Sequence, residues 1–316
     1  MNFESPVPFE RFMAWALHDP ERGYYARRIS GVGGRGDFTT APMLSDAPAR
    51  AIAAWAVNAM KETGCRNLIE IGPGEGTLAA AVLGFLPWHI RWRTRLHLVE
   101  TSAPLQERQK KLLGNRATWH RHASNALEAC DGRAVIFSNE LVDAFPVRRF
   151  QKTPEGWQEM AVRFDENHRA HESLLAAAPL PDSSAFLETH PPGQIVEVHE
   201  SYQHYLAEWM PLWKSGRLLT IDYGATADTL YHRRPSGTLR AYLLQQRLEG
   251  AAIYDNPGRQ DLTADVNFTD LQNWSAPWVG EQHLMDFGAF LRDSRQHPFG
   301  DENGAGGAFQ VLDQKK

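Results

Sequence analysis

The stretch "LIEIGPGEGTLAAAVL", from Leu68 to Leu83, decides how this chain folds. A short apolar run ends in a turn holding Gly72, Pro73, Gly74 and Gly76, and a run of small and apolar residues follows from Thr77. Glycines at a strand-to-helix turn let the backbone bend sharply and approach a ligand closely. The dinucleotide fingerprint G-x-G-x-x-G needs a third glycine where Thr77 stands; the spacing here is E-x-G-x-G-x-G, from Glu70 to Gly76. Glu70 and Glu75 are ill suited to a pyrophosphate, and the loop itself holds no Lys or Arg. A ligand with a cationic amino-acid part suits these acids better than NAD does.

Outward from the loop an α/β rhythm appears. Apolar runs at Asn67–Ile71, Arg95–Val99, Ala117–Arg121, Ala134–Phe137 and Leu218–Ile221 read as buried strands. Helical patterns at Thr77–Leu86, Pro104–Leu113 and Ser201–Trp213 alternate with them, which implies βαβ units and a mostly parallel sheet. Phe9, Phe12, Met13 and Ala16 predict an N-terminal helix, closed by His18-Asp19-Pro20. A glycine-rich loop follows, then a helix capped by Ser45 or Asp46 with the apolar stripe Ile52, Trp55, Ala56, Ala59 and Met60. The segment from Phe150 to about Ala178 breaks the rhythm and reads as an inserted hairpin turning at Asp165-Glu166-Asn167. After Gly224 the chain reads as turn-rich and irregular. The divisions expected are an N-terminal helix and lid loop (1–45), a ligand-binding core (46–150), an inserted substrate region (151–200) and a closing half (201–316).

Glu100 ends the strand after the loop, so it belongs beside the glycines at the carboxyl edge of the sheet, where a carboxylate accepts hydrogen bonds from ribose hydroxyls. Loop, acid and order together point to S-adenosylmethionine (SAM). A net charge of -5 argues against a nucleic-acid binder, and Arg148-Arg149 and Arg233-Arg234 read as solvated pairs. Cys65 and Cys130 make no disulfide framework, there is no secretory signal or membrane-spanning run, and a cytoplasmic setting is expected. His120 and His122 alternate on a strand without the partners a metal site needs, so no metal is expected.

The chain resembles the MidA family of SAM-dependent methyltransferases, related to the mitochondrial complex I assembly-factor protein arginine methyltransferase. "FMAWALHDPERGYYARR", "GDFTTAP", "IEIGPGEGTL", "LHLVETSAPLQERQKKLL", "NELVDAFPV", "LLTIDYG", "GTLRAY" and "NPGRQDLTADVNFTDL" carry the resemblance in the family's order across nearly the whole chain. It implies a class I, Rossmann-like methyltransferase sheet with extra acceptor-shaping segments. It also implies that Asp37, Thr39 and Thr40 wall or cover the SAM pocket, that Ser124 and Asn125 contact the adenine, and that the acceptor is a protein, in the family's case a respiratory-complex subunit. This chain departs from the family at Gln245, where a histidine is common, and at Asn267, where an aspartate is common.

Methyl transfer needs alignment more than elaborate machinery; near-attack positioning can supply ~7–11 kcal/mol. For an arginine acceptor, carboxylates hold the guanidinium and localise its charge. "NELVDAFPV" offers Asn139 for the methionine part of SAM, and Glu140 and Asp143 on one face of a turn for a cationic acceptor. Asp222 and Tyr223 come next, then Arg240, Asp261, Thr263 and Asp265, which a turn-rich surface explains nearly as well. Tyr24 and Tyr25 read as packing of the first helix, with a cation–π role for the sulfonium as the rival. The rival functions are a small-molecule methyltransferase, a SAM-binding assembly factor with little turnover, and an NAD-dependent dehydrogenase. Either a monomer or a homodimer is compatible with the sequence.

Overall fold

The computed structural model describes residues 6–27, 46–167, 169–175, 178–244, 246–293 and 308–316. Strand β1 (Val7–Pro8), helix α1 (Phe9–His18), a single turn α2 (Tyr24–Arg27) and α3 (Ala47–Thr63) come first. Phe9, Phe12, Met13 and Ala16 are all buried, as their spacing predicts. Asp46 does stand at the N-cap of α3, but its side chain makes no capping bond and pairs instead with Arg50. Ser45 lies outside the described residues.

The βα succession then runs β2 (Asn67–Ile71), α4 (Thr77–Phe85), α5 (Trp88–Arg91), β3 (Arg95–Val99), α6 (Ala103–Leu113), β4 (Ala117–His120), α7 (Ala123–Ala129) and β5 (Val135–Asn139). Next come β6 (Arg148–Thr153), β7 (Gly156–Phe164), β8 (Ala170–Leu174), β9 (Ile195–Val198), α8 (Glu200–Trp209) and β10 (Arg217–Ala225). The remainder is α9 (Ala227–Leu230), β11 (Arg240–Leu243), β12 (Gln246–Leu248), β13 (Asp261–Thr263), β14 (Val266–Asn267), α10 (Phe268–Ser275), β15 (Glu281–Asp286), α11 (Phe287–Asp293) and β16 (Phe309–Lys315).

The central sheet is mixed, in the order β15-β16-β10-β5-β2-β3-β4, with β14 beside the end of β10. Strands β10, β5, β2, β3 and β4 are parallel, and β16 runs against both β10 and β15. Side chains alternate across it. Leu68, Phe137 and Leu219 enter the core beneath α3 and α4, while Ile69, Ile136 and Leu218 enter the core containing Leu206, Trp209 and Phe268. Burial on both faces is what makes these strands continuous apolar runs.

Three expectations need correction. The insertion is more than a hairpin: β7 and β8 do pair, but β6, β9 and even β1 join them in a five-stranded antiparallel sheet. Among the described residues, the tail after Gly224 is regular, with a three-stranded sheet β12-β11-β13 and three strands of the central sheet, β14, β15 and β16. The arginine pair of β6 is not solvated either. Arg149 is buried, donating to Glu172 (2.7 Å) and Glu197 (3.4 Å), and Arg148 bridges Glu159 and Glu200.

Candidate active site

A cavity of about 620 Å³ opens at the carboxyl ends of β2, β3 and β5. Its floor is the glycine loop. Gly72, Gly74 and Gly76 have φ of +68°, +53° and +81°, the left-handed region that favours glycine. A Cβ on Gly72 would lie 2.6 Å from Leu141 Cδ1, so a side chain there would displace the tip of Leu141. The Glu75 charge is compensated after all: Arg108 of α6 reaches it at 2.9 Å, a partner that the loop sequence did not show.

Glu70, Glu100 and Asn139 end three neighbouring strands and all line this cavity. Burial pushes the Glu70 carboxyl up to about 8, with the Glu100 charge adding to it and a backbone amide at Ala79 opposing. Burial likewise pushes Glu100 up to about 7, against the Ser102 amide that donates to its Oε1 at 2.7 Å. Glu70 Oε2 and Asn139 Oδ1 are buried with no hydrogen-bond partner among the described residues. Buried polar atoms are nearly always satisfied, so orphans on a cavity wall mark places for ligand donors. An ammonium and ribose hydroxyls are such donors, and the residues present fit SAM.

Gln109 was missed by sequence reading. It is fully buried, donating to the Gly74 carbonyl (2.7 Å) and to Glu100 Oε2 (3.4 Å), and so ties the loop to the neighbouring strand. Its legible signal was a polar residue within the apolar stripe Leu105–Gln109–Leu113 of α6. At the far edge Arg121 and His122 line the cavity, whereas Ser124 and Asn125, in the first turn of α7, do not. His120 pairs with His97 rather than His122, His120 Nε2 to His97 Nδ1 at 3.0 Å, and burial pushes His97 down to about 4. Asp37, Thr39, Thr40 and Gln245 lie outside the described residues.

The opposite wall comes from α1 and α2. His18 stacks on Tyr25 (centroids 5.5 Å, 21°), and both line the cavity; burial pushes the His18 imidazole down. Tyr25 Oη donates to Asp261 at 3.0 Å. Of the expected aromatic pair, only Tyr24 is purely core. Ser201, Tyr205 and Glu208, spaced along one face of α8, complete the enclosure.

Glu140 lines the cavity, half-buried, with a left-handed φ of +49° that a non-glycine residue rarely adopts. Asn139 Nδ2 donates to its Oε1 at 3.0 Å. Asp143 does not share an open face with it. It is buried, outside the cavity wall, with its carboxyl pushed up by burial and by Asp265 while Arg240 opposes. Asp222 also departs from the expected catalytic placement. It is fully buried: Oδ2 accepts the amides of Leu141 (3.1 Å), Val142 (2.8 Å) and Asp143 (3.4 Å), and Oδ1 accepts that of Tyr223 (2.9 Å). This carboxylate shapes the loop that carries Glu140.

Arg240, Asp261, Thr263 and Asp265 are buried, not surface residues. Asp265 accepts from both Arg234 and Arg240. Arg234, Arg240 and Asp265, with Tyr223, Tyr242 and Arg149, line a second cavity of about 1030 Å³, whereas Asp261 and Thr263 do not. Asn267 caps α10, accepting the amides of Thr269 (3.1 Å) and Asp270 (3.4 Å) and donating to Ser184 (3.0 Å). The departure at this position is therefore a helix cap.

Residues 51–280 match a family model described as "Putative S-adenosyl-L-methionine-dependent methyltransferase". The mouse protein arginine methyltransferase NDUFAF7, mitochondrial, is 27% identical over 91% of this chain and 70% of its own length. Its Drosophila melanogaster homolog is 28% identical over 83% of this chain and 65% of its own length. A COG1565 superfamily member from Burkholderia thailandensis, solved bound to S-adenosyl-homocysteine, superposes with a TM-score of 0.84 at 24% identity, over 98% of this chain and 88% of that one, and so shares the fold. With the glycine loop, the paired acids and the family match in agreement, this chain belongs to that family and is a SAM-dependent methyltransferase.

Proposed function

We propose that the enzyme methylates a protein arginine nitrogen, on a class I, Rossmann-like sheet. The observation that carries this reading is Glu140, an acid held on the cavity wall by a strained backbone and an Asn139 hydrogen bond. Strain at a wall residue is what a positioned functional group exhibits. The names of the NDUFAF7 relatives agree with the reading.

SAM, when bound, supplies an electrophilic methyl carbon on a sulfonium. In this reading Gly72, Pro73, Gly74 and Gly76 let the backbone approach it, Glu70 and Asn139 hold its amino-acid part, and Glu100 holds the ribose. Glu140 accepts from the acceptor guanidinium and draws its positive charge away from the attacking nitrogen. Asp143 and Asp222 act through loop geometry rather than contact. Asp37, Thr39 and Thr40 complete the cover by family resemblance, and Arg121 and His122 are preferred to Ser124 and Asn125 at the adenine.

A small-molecule acceptor is the second reading, favoured by the roomy cavity beside Tyr223, Tyr242 and Arg240. Transfer of labelled methyl from SAM into lysate, with Glu140→Gln alongside, separates the two. Label on protein arginine, lost in the variant, supports the proposal; label in small metabolites supports the second reading. Tight SAM binding with no label anywhere points to an assembly factor. We further read the enzyme as cytoplasmic, on its two free buried cysteines, and as a monomer or homodimer. No described helix is long and apolar enough to cross a membrane.

A further inference from the structure

We propose that the turn from Trp88 to Arg95 is an anchor for an anionic phospholipid surface. Trp88 is 75% exposed and Trp92 83%, the one at the start of α5 and the other four residues on, so the two indoles share a side of the turn. His89, Arg91, Arg93 and Arg95 are exposed around them. Several arginines elsewhere pair with acids, as at Arg148, Arg149, Arg217, Arg234 and Arg240. Arg91 donates instead to the Gly84 carbonyl at 3.2 Å, which fixes it next to the indoles. This cationic cluster sits on a chain whose net charge is -5.

The occupant follows from apolar exposure and charge. Two exposed indoles ringed by exposed basic side chains match the two parts of a bilayer surface, an apolar interior and an anionic headgroup layer. Tryptophan rings sit at headgroup level, and nearby arginines gain from anionic lipid. The position is also permissive. Helix α4 starts at the cavity and ends at this turn, and β3 runs back from it to Glu100, so the anchor lies at the edge of the sheet opposite the cavity. Docking there leaves the cofactor cleft open.

The test is sedimentation of the full chain with phosphatidylcholine vesicles, with and without phosphatidylglycerol as a third of the lipid. Binding is expected only with the anionic lipid. Arg91→Gln with Arg93→Gln should weaken it by roughly fivefold per arginine. Bromine-labelled lipid should quench the wild type, and Trp88→Ala with Trp92→Ala should remove that quenching and most of the binding. Unchanged S-adenosyl-homocysteine calorimetry shows that these surface variants are folded. No sedimentation of the wild type, binding indifferent to the tryptophans, or displacement by an oligonucleotide that binds more tightly through the same arginines would overturn the assignment.

Discussion

Glu70 and Glu100 stand on adjacent parallel strands and turn two buried carboxyls toward one cavity, and the Glu100 charge adds to burial in pushing Glu70 up to about 8. Both groups are thus held above the usual carboxylate range without a ligand. A cationic ligand favours their ionised forms, so its binding releases protons. SAM affinity should rise with pH across roughly 7 to 8, the window set by the two raised groups. Calorimetry in buffers of different ionisation enthalpy measures the release directly. Glu70→Gln should bind SAM about 10–100-fold more weakly, the loss of one charge-assisted hydrogen bond. A flat affinity from pH 6 to 9 would sink this coupling.

The same pair sets a stability slope. A carboxyl whose folded value lies above its unfolded one binds protons in the folded state that the unfolded chain has lost. Its stabilising contribution is therefore full below about 4.5 and disappears as pH rises through about 8. Ligand-free protein should melt at lower temperature at pH 8 than at pH 6, its stability falling by up to ~1.4 kcal/mol per pH unit for each such group below its raised value. Glu70→Gln should flatten the slope, as measured by denaturant titration at several pH values.

Asp222 and Glu140 should separate stability from turnover. Asp222→Ala leaves four amides, two of them buried, without this acceptor and should cost about 3 kcal/mol or more. Glu140→Gln touches a half-buried wall residue and should change stability by less than ~0.5 kcal/mol, yet lower methyl transfer by tenfold or more. Equal loss of stability in both variants would contradict this division of labour.

Gly72→Ala should be disproportionately damaging. The left-handed backbone costs an alanine ~1–2 kcal/mol, and its methyl would press on Leu141 Cδ1. Relief by Leu141→Ala would identify the contact; a Gly72→Ala protein with normal SAM affinity would refute it.

Asp265 is the shared acceptor of Arg234 and Arg240. Asp265→Ala strands the buried Arg240 guanidinium and should destabilise the fold by ~3–5 kcal/mol. In Arg240→Met, where no buried cation is left uncompensated, the same aspartate change should cost less. A double-mutant cycle measures that difference.

How much of this was readable follows from which residues satisfy themselves locally. The bounds of β2 and β3 were plain because burial on both faces makes a strand largely apolar and the glycine loop punctuates the first of them. Strands β6 and β16 were not, because "RRFQKT" and "FQVLDQK" are polar until remote partners arrive. Arg149 is buried only because Glu172 and Glu197 come to it, and Asp313 only because Trp55 and Arg217 do. The site divides the same way. Glycine loop, Glu70, Glu100, Asn139 and Glu140 sit in local motifs at strand ends, whereas His18 and Tyr205 reach the cavity, and Gln109 reaches the Gly74 carbonyl, through tertiary packing.

The Tyr25–Asp261 hydrogen bond joins residues 236 positions apart and ties a wall residue of the cofactor cavity to β13. Enclosure is thus a property of the whole polypeptide. A fragment carrying only the glycine loop and its parallel strands would have a floor and no lid, and solvent would compete for every donor the ligand offers. Methyl-transfer competence in this fold is not a portable module. Its inheritance should be all or nothing, so chimaeras joined between α2 and β13 should lose cofactor retention before they lose their sheet.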